Sequence, residues 1–299
     1  MGARSFRPPS AVDPSLSDAD LPMEVFADDI PGGPVVLLHG LLETNALWRP
    51  IISRQQPLPQ PTVALPLPGH SASCTSARTA AMLRDQRFLD IYARRLDAAF
   101  PTGRWRLVGH STGGLVALQL ARRYPERVRD ILLVGSLFSG GIASARSLHA
   151  RLTALPGFGH LAVSLLWRYA LESPENFQRW GAMVQSGSRG AAPLPDEMRA
   201  ELSCCNPLAL RLMLNWVRGQ SMRQELPLVS CPVTSVVGTK DPVVPPEHQI
   251  ALLQALPNAR ALLMETGHLP FYEAPDQFDD MFQRWLIGPR VERVLGTSS

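Results

Sequence analysis

The stretch that decides the fold is Val-Gly-His-Ser-Thr-Gly-Gly at residues 108–114, which has the form Gly-x-Ser-x-Gly around Ser111. A run predicted to be a strand precedes it at 104–109, and a run with helical spacing follows it at 115–124. A serine on a sharp turn between a strand and a helix presents its hydroxyl at the head of that helix. The flanking glycines let the strand and helix pack closely. The pattern therefore predicts that Ser111 is a catalytic nucleophile.

Strands and helices alternate on both sides of this stretch. The pattern predicts strands at 34–39, 62–65, 104–109, 131–134, 233–237 and 259–264, and helices at 82–100, 115–124, 246–256 and 274–287. Short connections between alternating elements favour a mostly parallel sheet covered by helices on both faces. The predicted fold class is therefore α/β.

The alternation stops between residues 139 and 228. No strand pattern is evident there, and helical patterns occur at 148–155, 161–171, 174–184 and 208–217. The segment is too long to be a connecting loop. We expect an inserted helical cap, residues 139–228, between two core segments at 23–138 and 229–290. By composition, residues 1–22 are expected to form a flexible arm and residues 291–299 a tail.

A serine nucleophile needs a base, and the base needs an acid to orient it. Asp241 follows the strand predicted at 233–237, and His268 follows the one at 259–264. Because the carboxyl ends of parallel strands meet at one edge of a sheet, both side chains should reach the edge that carries Ser111. Asp241 could instead be only a turn residue before Pro242. The order Ser, Asp, His favours a triad of Ser111, Asp241 and His268.

Two backbone N–H groups should stabilise the oxyanion of the reaction. One is that of Thr112, directly after the nucleophile. The other should come from the loop after the first predicted core strand, where Leu41 is the candidate and Leu42 is less favoured. Gly40 gives that loop the freedom to turn its amides inward.

The chain resembles the α/β-hydrolase superfamily, in the branch with a helical cap. The matching stretches are LLHG at 37–40, LPGHSAS at 67–73, VGHSTGG at 108–114, GTKDPVVP at 238–245 and TGHLPFYEAP at 266–275. The resemblance implies hydrolysis of an ester or thioester through an acyl-enzyme, without a metal or organic cofactor. The same branch contains lactonases, carbon–carbon bond hydrolases and non-hydrolytic enzymes, so cyclase or lyase chemistry stays open, as does a non-catalytic ligand-binding module.

One stretch departs from the family pattern. The segment before 67–73 lacks the Asp that members often have, and His70 replaces the commoner residue. His70 could either stabilise this loop or stand at the pocket entrance.

The cap is rich in Leu, Trp and Met, which predicts an apolar pocket for the acyl group. The expected substrate is a small-molecule acyl compound, either free or bound to a carrier. The residues expected to contact it are His39, Gly40, Leu42, His110, Trp167 and Leu269. For His39 and His110 a structural role is the favoured alternative.

Composition limits the partners. The net charge is +3 and the arginines are dispersed, so nucleic acid is not an expected partner. No apolar run is long enough to cross a bilayer, and no signal peptide is evident. Two of the four cysteines, Cys204 and Cys205, are adjacent, which suits neither a disulfide nor the usual metal spacing. We therefore expect reduced thiols and a cytoplasmic enzyme.

Overall fold

The computed structural model describes residues 21–140, 165, 167–186 and 191–288. These residues form a seven-stranded sheet with helices on both faces, which confirms the predicted α/β class. The strands are β1 (Glu24–Ala27), β2 (Val35–Leu38), β3 (Thr62–Leu65), β4 (Trp105–His110), β5 (Val128–Val134), β6 (Val233–Gly238) and β7 (Ala259–Met264).

The strands lie in the order β1-β3-β2-β4-β5-β6-β7. β1 is antiparallel to β3, and every other pair is parallel. The six strands predicted from the sequence correspond to β2–β7. The prediction missed β1, because this edge strand has only four residues and none of them is fully buried.

The helices labelled here lie against the sheet or in the segment between β5 and β6. They are α1 (Arg49–Arg54), α2 (Ser76–Leu83), α3 (Arg87–Ala99), α4 (Thr112–Arg123), α5 (Pro174–Met183), α6 (Asp196–Ser203), α7 (Pro207–Arg218), α8 (Pro246–Ala255), α9 (Pro270–Glu273) and α10 (Pro275–Ile287).

The single helix predicted over 82–100 was wrong. The chain there forms α2 and α3, separated by a 3₁₀ turn at Arg84–Gln86. Asp85 and Gln86 have φ values of 52° and 56°, in the left-handed region that interrupts a right-handed helix. The helical spacing of apolar residues ran through the break because Met82 of α2 and Phe88 of α3 are buried in the same core.

The hydrophobic core forms one layer on each face of the sheet. Along β2, Val36 and Leu38 belong to one layer, whereas Val35 and Leu37 belong to the other. All four are fully buried. Side chains of a strand alternate between faces, so a strand covered on both faces needs an uninterrupted apolar run.

The described residues 167–186 and 191–218, between β5 and β6, are called the cap below; they include the helical residues 167–172 and α5, α6 and α7. The two chain segments that join it to the core are hydrogen-bonded, since Gly140 N–H donates to Gln220 O and Met222 N–H to Phe138 O. The predicted helices at 174–184 and 208–217 correspond to α5 and α7. The prediction missed α6, which follows the Gly- and Pro-rich stretch from Ser186. The helix predicted at 148–155 and nearly all of the predicted arm and tail lie outside the described residues.

Candidate active site

Ser111 lies on a strained turn between β4 and α4. Its φ and ψ are 50° and −116°, a conformation unusual for a residue with a side chain. Two backbone hydrogen bonds hold it, from Ser111 N–H to Val134 O and from Gly114 N–H to Ser111 O. A Cβ on Gly113 would lie 2.1 Å from the carbonyl oxygen of Leu38, so α4 can approach β2 this closely only with glycine there. The turn therefore presents Ser111 at the carboxyl edge of the sheet.

The structure brings Asp241 and His268 together. The Nδ1 atom of His268 lies 2.8 Å from Oδ2 of Asp241, and both residues are buried. Gln249 Nε2–H also donates to Oδ2, at 3.0 Å. Oδ1 accepts the N–H groups of Val243 and Val244 at 2.8 and 2.9 Å. Asp241 therefore shapes its own turn and also fixes the ring of His268.

The charges around His268 favour its protonated form. Burial is the largest single effect and lowers the pKa of His268, whereas the charge and the hydrogen bond of Asp241 raise it. Glu43 and Glu273 add to the effect of Asp241, so the pKa of His268 is raised above its ordinary value. The site can thus stabilise a proton that His268 receives.

Gly135 packs directly against the Asp241–His268 pair. It follows β5 with a φ of +54°, and a Cβ on it would lie 3.0 Å from His268 Nδ1 and 3.3 Å from Asp241 Oδ2. Ser111 N–H bonds to the preceding residue, Val134. Gly135 thus brings the pair next to the serine turn, and the sequence analysis did not identify it.

Two backbone N–H groups beside Ser111 have no acceptor among the described residues, those of Leu41 and Thr112. The N–H of Leu42 is engaged, because it donates to Nε2 of His70 at 3.1 Å. Leu42 has a φ of 62°, which turns the chain at this point. The described residues thus engage the N–H of Leu42 and leave that of Leu41 without an acceptor.

His39 and His70 support this loop from behind. His39 Nδ1–H donates to Gly40 O, and its Nε2 accepts the N–H of Leu67. His70 Nδ1–H donates to Pro68 O. Burial and the neighbouring His39 lower the pKa of His70 to about 3, and burial lowers that of His39. Both rings are therefore neutral braces, and His70 stabilises the loop rather than standing at an entrance.

His110 is also fully buried, with both ring nitrogens engaged. Nδ1 lies 2.9 Å from Glu43 Oε2, and Nε2 lies 2.9 Å from the carbonyl oxygen of His268. Neither His39 nor His110 offers a free polar atom to a substrate in this structure. Gly40 is likewise buried beside them, donating its N–H to Glu43 Oε2. Glu43 was missed in the sequence analysis because its side-chain partner, His110, is 67 positions away in the chain.

The cap contacts the loop that carries His268. His268 N–H donates to Val184 O of the cap at 3.0 Å. Glu273 Oε2 accepts the N–H groups of both Ser186 and Gly267 at 2.8 Å, and its Oε1 accepts that of Leu269. One carboxylate thus joins the cap to the His268 loop. Leu269 is buried in this loop.

A cavity of about 690 Å³ lies between the loop at Leu42 and the cap. Apolar side chains of the cap, among them Trp167 and Leu210, form much of its wall. Two exposed arginines, Arg168 and Arg211, also line it. Leu42 and Trp167, both predicted to contact substrate, therefore line the same cavity.

Among the described residues, no group of three or more His, Cys, Asp or Glu side chains is arranged to hold a metal ion. In the same part of the chain, no helix combines the length and apolar character needed to cross a membrane. All four cysteines are free thiols. Burial raises the pKa of the Cys205 thiol in the cavity wall to about 12, so it is a poor nucleophile.

Comparison with known proteins identifies the family of the chain. The chain belongs to the alpha/beta hydrolase family, whose model matches residues 35–281. It is 29% identical over 259 residues to a pimeloyl-[acyl-carrier protein] methyl ester esterase of Nitrosomonas europaea, covering 84% of this chain and 94% of the relative. It is 30% identical over 274 residues to an uncharacterized protein of Mycobacterium tuberculosis, covering 85% and 75% of the two chains. An esterase from Exiguobacterium antarcticum has the same fold, with a TM-score of 0.66 at 17% identity over 90% of this chain and 96% of that one.

Gly135→Ala should separate His268 from Asp241, because the added methyl group would contact Nδ1 and Ala disfavours a positive φ. The measurement is the low-field proton resonance of the His268 Nδ1–H, which should shift upfield or disappear. Gly219→Ala is the control, since a Cβ there meets nothing closer than 3.5 Å. An unchanged resonance in a folded Gly135→Ala protein would contradict the close packing inferred here.

Proposed function

We propose that the chain hydrolyses an ester or thioester of an apolar acyl group, with Ser111 as nucleophile. The observation that carries this proposal is the 2.8 Å hydrogen bond between His268 and Asp241 beside the strained turn of Ser111. The esterase among its relatives and the esterase with the same fold support the same chemistry.

In the first half of the reaction, Ser111 Oγ attacks the carbonyl carbon of the substrate and His268 Nε2 takes the hydroxyl proton. Asp241 accepts the Nδ1–H of His268, which fixes the tautomer with a free Nε2 and stabilises the imidazolium that forms. The N–H groups of Leu41 and Thr112 bind the negative oxygen of the tetrahedral intermediate.

Collapse of the intermediate breaks the bond to the leaving alkoxide or thiolate, which takes the proton from His268. In the second half, water attacks the acyl-enzyme while His268 again accepts a proton. The acid product then leaves and Ser111 recovers its hydrogen. These steps need only side chains and water, so the proposal includes no cofactor.

The cavity beside Leu42 is the proposed acyl site, which makes Leu42 and Trp167 substrate contacts. Its apolar wall suits a hydrocarbon chain extending from a carbonyl bound at Leu41 N–H. A carrier-bound acyl group is a second form of the substrate, favoured by the pimeloyl-[acyl-carrier protein] ester relatives. A cytoplasmic location, where thiols stay reduced, suits the four free cysteines.

Ser111→Ala should lower turnover by roughly 10⁴- to 10⁶-fold, because the acyl-enzyme can no longer form. Turnover is measured on aryl esters from acetyl to dodecanoyl and on matching acyl thioesters. Ser136→Ala is the control, as this buried serine bonds Gly109 O near the same turn without facing the reaction. Near-native turnover by a folded Ser111→Ala protein would rule out Ser111 as the nucleophile.

The pH profile should have an acid limb set by His268. As general base His268 must be neutral, so activity is present above its pKa and is lost as the pH falls through it. Since that pKa is raised, the midpoint of kcat/KM should lie above 6.5. Asp241→Asn removes the carboxylate that raises it most, so the midpoint should move to lower pH and kcat should fall by up to about 10⁴-fold. A wild-type midpoint below 6.5 would count against this role for the pair.

Leu214→Trp should shift the preferred acyl chain to shorter lengths, because Leu214 lines the cavity from α7 and the larger side chain would fill part of it. Leu208→Trp on the same helix is the matched control, since Leu208 is exposed and is not part of the cavity wall. The ratio of kcat/KM between hexanoyl and dodecanoyl esters measures the effect. Equal ratios in both variants and the wild type would place the acyl chain elsewhere.

A further inference from the structure

A buried carboxylate beside the site has no part in the reaction steps above. Glu43 follows the loop that carries Leu41 and is only 6% exposed. Its Oε2 accepts the N–H of Gly40 at 2.5 Å and lies 2.9 Å from Nδ1 of His110. A Cβ on Gly40 would lie 2.8 Å from this same oxygen, so the contact is tight. Glu43 therefore holds the backbone directly before the proposed oxyanion donor.

His110 extends this contact to the catalytic histidine. Its Nε2 lies 2.9 Å from the carbonyl oxygen of His268, and the two rings are 4.7 Å apart between centroids. The edge of Phe271 packs against the ring of His110. A carbonyl oxygen can only accept a hydrogen bond, so Nε2 of His110 carries a proton.

The other ring nitrogen of His110, Nδ1, contacts Glu43 at 2.9 Å. Burial is the largest single effect on Glu43 and raises its pKa, but His110, His268 and His39 together outweigh burial, so the pKa of Glu43 is lowered. Glu43 and His110 thus form a buried hydrogen-bonded pair.

We propose that Glu43 and His110 are a positioning pair that ties the oxyanion loop to the backbone of His268. This inference rests on the function proposed above. Through the pair, the N–H of Leu41 and the ring of His268 are held in one geometry, although the linked residues are 67 and 158 positions apart in the sequence.

The placement of the pair favours this role over a merely structural one. Buried polar side chains are expensive to desolvate, and even a buried ion pair often adds little stability compared with apolar residues of the same volume. An oxyanion donor, by contrast, acts only if it is held within a few tenths of an ångström of its productive position. Glu43 accepts the N–H of Gly40, the residue directly before Leu41, and His110 donates to the carbonyl oxygen of His268. Both contacts are thus made to backbone groups that position a proposed reacting group.

Two substitutions of one residue can break the two halves of the link separately. In His110→Asn the amide nitrogen stands as many bonds from Cβ as Nδ1 does, so it keeps the contact with Glu43 and loses that with His268. In His110→Gln the amide nitrogen corresponds to Nε2, so it keeps the contact with His268 and loses that with Glu43. Glu43→Gln keeps the shape of Glu43 and removes its charge.

Each of these variants should lower kcat by about 10- to 100-fold with KM nearly unchanged, since a displaced oxyanion donor costs transition-state binding. The Glu43→Gln/His110→Gln double variant should lose no more than the worse single variant, because both changes break one link. Asp90→Asn is the matched control, as Asp90 is a buried carboxylate paired with Arg123 away from the site. It should lower the melting temperature and leave kcat and KM unchanged.

Two further measurements test the proposed link even if one of the variants folds poorly. The nitrogen NMR spectrum of the wild-type His110 ring should show a protonated Nε2 that is hydrogen-bonded to the carbonyl oxygen of His268, and an unprotonated Nε2 would overturn the link. The rate at which a serine-directed phosphonate labels Ser111 reports on the oxyanion hole without a native substrate. Suppose the phosphonate labels the wild type. Variants that are then labelled equally fast, or a double variant whose loss of kcat equals the product of the two single losses, would overturn this inference alone. A wild type that is not labelled at all would overturn the proposed function and this inference with it.

Discussion

The parallel pairing of β4, β5 and β6 is the constraint on which the rest of the site depends. In this register His110 pairs with Val134, and Val134 pairs with Val236. Each strand then ends within a residue or two of its neighbour, so three loops open at one edge of the sheet. The ladder continues into these loops, because Ser111 N–H bonds Val134 O and Gly135 N–H bonds Val236 O. A slip of one residue would turn every side chain of a strand to the opposite face.

Much of this arrangement follows from short-range patterns. The apolar runs predicted β2–β7, and the loops after β6 and β7 identified Asp241 and His268. The residues that the sequence patterns did not reveal are polar side chains whose partners lie in other elements. Gln249 holds Asp241 from a different element, and nothing in the local sequence distinguishes it from any surface glutamine. In the sequence, Glu43 is indistinguishable from an ordinary loop residue. Its role depends on its contact with His110, which only the folded structure shows.

Other departures have local causes. The break between α2 and α3 depends on two residues, Asp85 and Gln86, whose left-handed backbone no apolar spacing reveals. The contacts by which His39 and His70 support the loop could be predicted only if one knew which carbonyl and N–H groups face each ring. Hydrophobic periodicity thus predicts where a chain is buried, whereas the polar contacts that orient the site emerge only with tertiary structure.

The hydrogen bond from the N–H of His268 to the carbonyl oxygen of Val184 limits how freely the cap could be exchanged for that of a relative. The cap is not an independent attachment, since Glu273 also bonds both Ser186 and Gly267. Whole-cap grafts from relatives would have to conserve the backbone path at 184–186, or the loop of His268 would lose a neighbour that orients it. Side chains of α6 and α7 line the cavity and take no part in these contacts. Evolution of new specificity in this architecture would be expected to concentrate there.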